Sequence, residues 1–303
     1  MHDDLVPGQG AEVTSRIRFY HWLEAVAVRS LLRARLIFAG RASTAADTGS
    51  AQILRRALHA ALESAPPELV RWQSVIEELR GRLLASTARL TGEDFRAGSK
   101  GSSAWGAEVT ARPRSGAIAE VCALSSKSPI WGRILFHLVR EFRPDFCLEL
   151  GTSLGLSAAY IGAALAENGN GQMATLEGAV PLAVVARRNL SELGLDTVQV
   201  VTGVFDQTLP EVLAKNHSVD FAFIDGHHDG RATLGYFERI LSASARSVVF
   251  VFDDIRWSAD MHQAWRTIKK DDRVTACFDL TTTGVVLVER PAHGGAEQPK
   301  SPA

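Results

Sequence analysis

Two hydrophobic patterns divide the chain. Up to about residue 90, apolar side chains recur at helical spacing, which predicts helices over Glu12–Gly40, Ala51–Glu63 and Pro67–Leu90. Pro67 suits a first helical turn because a proline there gives up no hydrogen bond. The next stretch, Thr91–Ser115, is rich in Gly, Ser and Arg and predicts a long loop, of which Arg96–Arg114 is either a lid or a linker.

Beyond Ala117, apolar runs alternate with amphipathic segments. The predicted strands are Phe146–Leu150, Gln172–Glu177, Val198–Thr202, Phe221–Asp225, Val248–Phe252, Val274–Leu280 and Val285–Glu289, and the predicted helices include Pro129–Phe142, Ser157–Glu167 and Pro181–Leu193. Strands that are apolar throughout are typical of a parallel sheet with helices on both faces. The last two strands are too close in sequence for a helical crossover and should form an antiparallel hairpin. The predicted fold is therefore α/β, a doubly wound, mostly parallel seven-stranded sheet with a C-terminal antiparallel hairpin and an α-helical N-terminal extension.

Three segments follow from these patterns: the helical extension and long loop (1–115), the α/β domain (116–290), and a tail (291–303) whose Pro, Gly and Ala content predicts disorder. A net charge of −1 over 303 residues gives no overall field for nucleic acid. The acidic N-terminus, three cysteines without paired spacing and the lack of a membrane-spanning apolar run predict a soluble, cytoplasmic protein. The basic first helix could bind a membrane surface or a partner, or pack on its own domain or on a second subunit as a homo-oligomer.

The turn after the first strand, Gly151-Thr152-Ser153-Leu154-Gly155, is the first candidate for chemistry. Taken alone it fits a nucleotide-type cofactor or the nucleophile elbow of a serine hydrolase, with Ser153 as nucleophile. The turn lacks the glycine spacing that seats a pyrophosphate, and Glu149 just before it would oppose a phosphate and suit a cationic ligand. Glu177 ends the second strand 22 residues after Gly155, where a carboxylate can reach the hydroxyls of a ribose.

Three carboxylates follow later strands, Asp225 after the fourth and Asp253 and Asp254 after the fifth. Like charges after apolar runs are costly to bury unless a cation binds or their pKa values rise. A Mg²⁺ ion with oxygen ligands would answer that problem. The alternative is that local hydrogen bonds and water satisfy the three side chains.

His228 lies three residues after Asp225, and imidazole is a side chain that can accept a proton near neutral pH. It is therefore the candidate general base. His227 beside it is a candidate pocket wall or a surface residue.

These residues carry a resemblance to a known family. The segment from Trp131 to Glu289, with Trp131-Gly132-Arg133-Ile134-Leu135 and Leu148 through Ser157 as its motifs, resembles class I S-adenosylmethionine-dependent methyltransferases, within them the catechol O-methyltransferase-like group, and the fold it implies is Rossmann-like. The resemblance implies that Gly151, Ser153 and Ser157 face the methionine part of the cofactor, Glu177 its ribose, and Gly203, Val204 and Phe205 its adenine. The full expected cofactor set is Glu149, Gly151, Thr152, Ser153, Gly155, Ser157, Glu177, Gly178, Gly203, Val204, Phe205 and Asp225.

The same resemblance places Asp225, Asp253 and Asp254 at the family's magnesium positions and His228 where catechol enzymes carry a lysine base. Asp254 itself stands where those enzymes have Asn, so chemistry and substrate can differ. The expected function is S-adenosylmethionine-dependent, metal-assisted O-methylation of a small hydroxylated acceptor. The alternatives are a metal-independent N- or O-methyltransferase, a non-catalytic cofactor-binding scaffold and, remotely, a serine hydrolase.

Overall fold

The structure is a computed structural model that describes residues 9–41, 49–94, 112–215, 218–244 and 247–289. Most of the predicted lid or linker, Arg96–Arg114, and the whole predicted tail from Pro291 onward lie outside these ranges.

A seven-stranded sheet forms the centre of the described chain, in the order β5-β4-β3-β6-β7-β9-β8. Its strands are β3 (Phe146–Leu150), β4 (Gln172–Glu177), β5 (Val198–Thr202), β6 (Phe221–Ile224), β7 (Val248–Phe252), β8 (Val274–Leu280) and β9 (Thr283–Val288). The first five run parallel, and β9 pairs antiparallel with both β7 and β8. The predicted parallel sheet and C-terminal hairpin are confirmed.

Helices cover both faces of the sheet because alternate strand residues point to opposite sides. Phe221 and Phe223 of β6 belong to one buried cluster, and Ala222 and Ile224 belong to the other. The ten helices of the described ranges are α1 (Gln9–Arg41), α2 (Gly49–Ala60), α3 (Pro67–Leu84), α4 (Ile118–Ser125), α5 (Pro129–Phe142), α6 (Leu156–Asn168), α7 (Val180–Glu192), α8 (Phe205–Lys215), α9 (Gly230–Ala243) and α10 (Ala259–Ile268). The sheet is therefore buried on both faces, which explains its uninterrupted apolar strands.

The region predicted as a long loop differs from the prediction at both ends. The third helix ends at Leu84, and β1 (Arg89–Asp94) pairs antiparallel with β2 (Arg112–Ala117). Neither strand has the alternating apolar pattern that predicts a strand from sequence, and backbone hydrogen bonds pair the two. The predictions of helix to Leu90 and loop from Thr91 to Ser115 are wrong at these residues.

The N-terminal helices pack on the domain that follows them. Leu32, Leu54 and Ile76 are fully or almost fully buried in the same cluster as Phe136 and Tyr160. The other side of α1 exposes large apolar side chains, Phe19, Tyr20, Trp22, Leu23 and Val26. Within the described ranges, no helix is long and apolar enough to cross a bilayer.

Candidate active site

A cavity of about 550 Å³ lies at the carboxyl ends of the parallel strands. This is the edge where open α/β sheets bind ligands, because the chain diverges there on either side of the central strand. Its lining combines turns after β3 to β7 with side chains from α1 and from the segment joining α4 to α5. Residues from both the N-terminal and the C-terminal half of the sequence therefore form the wall of the cavity.

The turn after β3 owes its shape to left-handed backbone. Gly151 has a φ of +103°, and a Cβ there would lie 2.3 Å from the carbonyl oxygen of Asp225. Ser153 has a φ of 49°, and Gly155, with a φ of 83°, starts α6. Only glycine fits at Gly151, because both its conformation and the neighbouring strand exclude a side chain.

Glu177 holds this turn in place. Its carboxylate accepts a hydrogen bond of 2.8 Å from the backbone N–H of Ser153 and one of 2.9 Å from that of Ala179. Bonds from backbone N–H groups to a carboxylate are charge-assisted and strong. The end of β4 is thereby fixed to the turn after β3, and both line the cavity.

Glu149 lies beneath the turn, fully buried, and is not among the residues that line the cavity. The Thr175 hydroxyl donates to its Oε2 atom, whereas Oε1 has no hydrogen-bond partner. Burial raises the pKa of Glu149 to about 8, although hydrogen bonds from Ser157 and Thr175 oppose the rise. A carboxyl group with such a pKa is largely protonated near neutral pH.

The remaining predicted cofactor residues divide into two groups. Thr152, Ser157, Gly178, Val204, Phe205 and Asp225 line the cavity. Gly155 and Gly203 shape turns without lining it, and their roles in cofactor binding stay predictions. Phe205 packs with its ring centroid 5.0 Å from that of His227, which lines the cavity as predicted.

The three carboxylates predicted to bind Mg²⁺ are brought to the cavity, but they do not form a metal centre. Asp253 is buried, its Oδ1 accepts a 3.0 Å hydrogen bond from the Thr283 hydroxyl, and its Oδ2 pairs with the ammonium group of Lys127. No set of three potential ligands in the described part of the chain is arranged to hold a metal ion. The residues therefore do not fit the predicted magnesium site, because a lysine occupies the charge-compensating position.

His228 lies between the two other carboxylates. Its Nδ1 atom is 3.5 Å from Asp254 Oδ2, and its Nε2 atom is 4.0 Å from Asp225 Oδ1. The Trp257 ring lies 5.8 Å away, centroid to centroid. Both His228 and Asp254 have positive φ values, 46° and 50°, so tight turns deliver this pair to the cavity.

Ser153 has no base to activate it. Its hydroxyl oxygen is buried without a hydrogen-bond partner, while its backbone N–H bonds to Glu177. A nucleophilic serine requires a base within hydrogen-bond reach. The arrangement does not favour the hydrolase alternative.

Of the cavity residues that precede the sheet, the sequence singled out only Trp131, as part of a family motif and a candidate pocket wall. These residues include Tyr20, His21 and Glu24 of α1, and Leu124, Lys127 and Trp131 near α4 and α5. The indole N–H of Trp131 donates a 2.9 Å hydrogen bond to Glu24, joining α1 to α5. Helical periodicity marks the others only as helix surface, although the buried charge at Asp253 could have directed attention to a nearby lysine.

The chain is similar to known methyltransferases. Residues 148–255 match the family model described as a methyltransferase domain, in agreement with the resemblance given above. The match begins within β3 and ends at the turn after β7, which carries Asp253 and Asp254.

Two curated relatives and one solved structure are similar to the chain. A catechol O-methyltransferase from Niastella koreensis is 33% identical over 132 residues, 43% of this chain and 58% of that protein. A transmembrane O-methyltransferase homolog from Rattus norvegicus is 34% identical over 95 residues, 31% of this chain and 36% of that protein. The chain thus spans less than two thirds of either relative. An SAH-bound methyltransferase from Podospora anserina is 15% identical and covers 82% of this chain and all of its own, with a TM-score of 0.51, which supports the fold alone.

Proposed function

We propose that the protein is an S-adenosylmethionine-dependent methyltransferase that acts on a hydroxyl oxygen of a small acceptor. The observation that carries the proposal is the joining, in one cavity, of a glycine turn tied to Glu177 and a histidine between two carboxylates. The first can hold a cofactor, and the second can take a proton from an acceptor. Similarity to a Niastella koreensis catechol O-methyltransferase supports oxygen as the atom methylated.

The residues around the turn fit a ribose-bearing cofactor. A side chain at Gly151 would clash with the backbone of Asp225, so the turn can pack this closely against the end of β6 only with glycine there. Glu177 presents a carboxylate, which is the group that binds ribose hydroxyls. Val204 and Phe205 offer an apolar wall for a purine ring. When bound, S-adenosylmethionine supplies a methyl group on a sulfonium centre.

His228 is the proposed general base. We assign its proton to Nδ1, which lies nearer a carboxylate, Asp254, than Nε2 does to Asp225. The Nε2 atom is then an acceptor for the proton of a bound hydroxyl group. A carboxylate at Nδ1 stabilises the imidazolium cation that forms, as in other histidine bases oriented by an acid.

The transfer balances without another reactant. The acceptor O–H bond breaks and its proton moves to His228 Nε2, an O–CH₃ bond forms, and the S–CH₃ bond breaks with its electron pair remaining on sulfur. The products are a methyl ether and neutral S-adenosylhomocysteine. The cavity contributes by holding the two reactants together, an effect worth several kcal/mol, roughly 7 or more, in well-oriented systems.

Two measurements test the proposal. Calorimetry should detect saturable binding of S-adenosylmethionine, and a screen of phenols and diols with methyl-labelled cofactor should reveal an acceptor. With that acceptor, His228→Asn should lower kcat by at least about 100-fold and leave cofactor affinity unchanged.

The matched control is His262→Asn, which alters an exposed histidine of α10 outside the cavity lining. It should have wild-type kcat. Absence of cofactor binding would defeat the proposal, and binding without transfer to any acceptor would favour the scaffold alternative.

A further inference from the structure

Lys127 is a charged residue of the cavity wall that takes no part in the reaction proposed above. It lies between α4 and α5, its side chain is 19% exposed, and its ammonium group pairs with Oδ2 of Asp253, whose side chain is 1% exposed. The cavity reaches both residues. A positively charged group thus lies in the cavity wall, paired with Asp253, the residue that precedes Asp254.

The backbone that carries this lysine is held rigidly. Arg80, itself buried, donates a 2.8 Å hydrogen bond from Nη2 to the carbonyl oxygen of Lys127. Glu77 orients that arginine through a 2.7 Å bond to Nε, and the hydroxyl of Tyr160 donates to Glu77 at 2.8 Å. Lys127 is therefore positioned by a connected polar network from α3 and α6, unlike an ordinary surface lysine.

Both carboxylate oxygens of Asp253 already have a partner. Lys127 occupies Oδ2 and the Thr283 hydroxyl occupies Oδ1. A divalent ion bound to Asp253 would lie beside the ammonium charge of Lys127, which repels it. The lysine thus occupies the place at which the sequence predicted Mg²⁺.

We propose that Lys127 is the resident cation of this site and that methyl transfer proceeds without a divalent metal. This inference rests on the proposed function and adds a catalytic residue to it. As the acceptor proton moves to His228 Nε2, negative charge develops on the acceptor oxygen, and the Lys127 ammonium stabilises it. Lys127 keeps its protons throughout, so the balance of the reaction is unchanged. A fixed cation in a partly water-excluded cavity is effective because it needs no reorganisation as charge develops.

The test removes the cation and asks whether a metal can replace it. Protein dialysed against EDTA is titrated with Mn²⁺, followed by electron paramagnetic resonance, and cofactor binding is measured in parallel by calorimetry. The wild-type protein should bind no stoichiometric Mn²⁺ and should keep its rate in EDTA. Lys127→Met should lose about 100-fold in kcat, keep its cofactor affinity, and gain a site for one Mn²⁺ per chain, because it leaves the buried Asp253 carboxylate without a compensating charge and hard cations bind carboxylate oxygens.

Two further variants test which groups cause the changes in rate and in Mn²⁺ binding. Adding Asp253→Asn to Lys127→Met should abolish the new Mn²⁺ site. Lys269→Met removes another lysine that faces a carboxylate, Asp279 at 3.7 Å, but outside the cavity lining, and should change neither rate nor Mn²⁺ binding.

The proposal is overturned if wild-type protein binds one Mn²⁺ per chain, or if it loses activity in EDTA and regains it with Mg²⁺. It is equally overturned if Lys127→Met turns over at the wild-type rate or gains no Mn²⁺ site. Should that variant not fold, the Mn²⁺ and EDTA responses of the wild-type protein decide. A protein that binds no cofactor refutes the proposed function, whereas the Mn²⁺ titrations still report whether the lysine excludes a metal.

Discussion

The two sides of the cavity are built in different ways. The strand-tip side lies at the carboxyl ends of the parallel strands, and its cofactor-binding part includes Gly151, Ser153, Ser157, Glu177 and Phe205. Its shape comes from backbone turns locked to neighbouring strands. The helix side consists of Tyr20, His21, Glu24, Leu124, Lys127 and Trp131, and its shape comes from side chains on packed helices. We assign the cofactor to the first side and the acceptor to the second.

The difference teaches where specificity can change. A turn with positive φ tolerates few substitutions, so a strand-tip side of this kind can serve many enzymes that use one cofactor. Helix surface accepts varied side chains at little cost to the fold. The match to a methyltransferase family model covers residues 148–255 and none of the helix side, in agreement with this division.

The largest expected effect comes from breaking the strand-tip side at Gly151. Gly151→Ala forces a Cβ to within 2.3 Å of the Asp225 carbonyl oxygen at a φ of +103°. Backbone strain and steric overlap together should cost about 4 kcal/mol or more in unfolding free energy, and cofactor binding should be lost. Urea unfolding and calorimetry measure the two effects.

Gly194→Ala is the matched control for that change. Gly194 has a φ of +68° but no heavy atom within 4 Å of an added Cβ, so only the conformational strain remains. It should cost about 1 kcal/mol and leave cofactor binding intact. Equal losses in the two variants would show that the close approach to Asp225 is not what defines the turn.

A smaller effect should be visible in the pH dependence of stability. Burial raises the pKa of Glu149 to about 8, above its unfolded value of 4.5. The folded state retains this proton while the unfolded state loses it, so the stabilisation is complete below pH 4.5 and is lost as pH rises to about 8. The slope approaches about 1.4 kcal/mol per pH unit for one proton.

Glu149→Gln should remove that slope in the cofactor-free protein. The difference in unfolding free energy between wild type and variant, measured by urea titration from pH 5 to 9, isolates the contribution of this one group. Curves that run parallel over the whole range would mean that Glu149 is ionised in the folded protein.

The smallest expected effect concerns the helix side. Trp131→Phe keeps the ring but removes the 2.9 Å bond to Glu24 that joins α5 to α1. Losing one such bond is worth about 1 kcal/mol, which corresponds to a rise of about fivefold in acceptor KM, with cofactor affinity unchanged. Steady-state kinetics and calorimetry separate the two quantities.

Trp72→Phe removes the same kind of bond away from the cavity, where Trp72 donates to Glu167 at 2.8 Å. It should leave acceptor KM unchanged. If Trp131→Phe instead weakens cofactor binding and spares the acceptor, the assignment of the two sides must be reversed.

Much of the fold could be predicted from the sequence because a strand that is buried on both faces appears in the sequence as an uninterrupted run of apolar residues. Five strands have the predicted bounds, namely Phe146–Leu150, Gln172–Glu177, Val198–Thr202, Val248–Phe252 and Val274–Leu280. The ribbon of β1 and β2 could not be predicted in this way, since neither strand has an alternating apolar pattern and backbone hydrogen bonds pair the two.

The candidate site was predictable to the extent that its residues follow strands. Gly151, Glu177 and Asp225 all end or follow parallel strands, and the sheet necessarily brings those ends to one edge. The cationic partner of Asp253 was not predictable, because Lys127 lies 126 positions away in the sequence and on no strand. The charge problem was evident in the sequence, and its solution required the packing of α3, α5 and the sheet.

The sequence by itself thus determined the sheet, its hairpin and the polar groups at the strand ends, since local periodicity and strand direction are encoded in neighbouring residues. Only the tertiary structure decided that α1 and the start of α5 wall the cavity, that Glu149 is buried, and that an ammonium group compensates Asp253. Those outcomes depend on the burial and pairing of charges, which are set by distances between segments far apart in the chain.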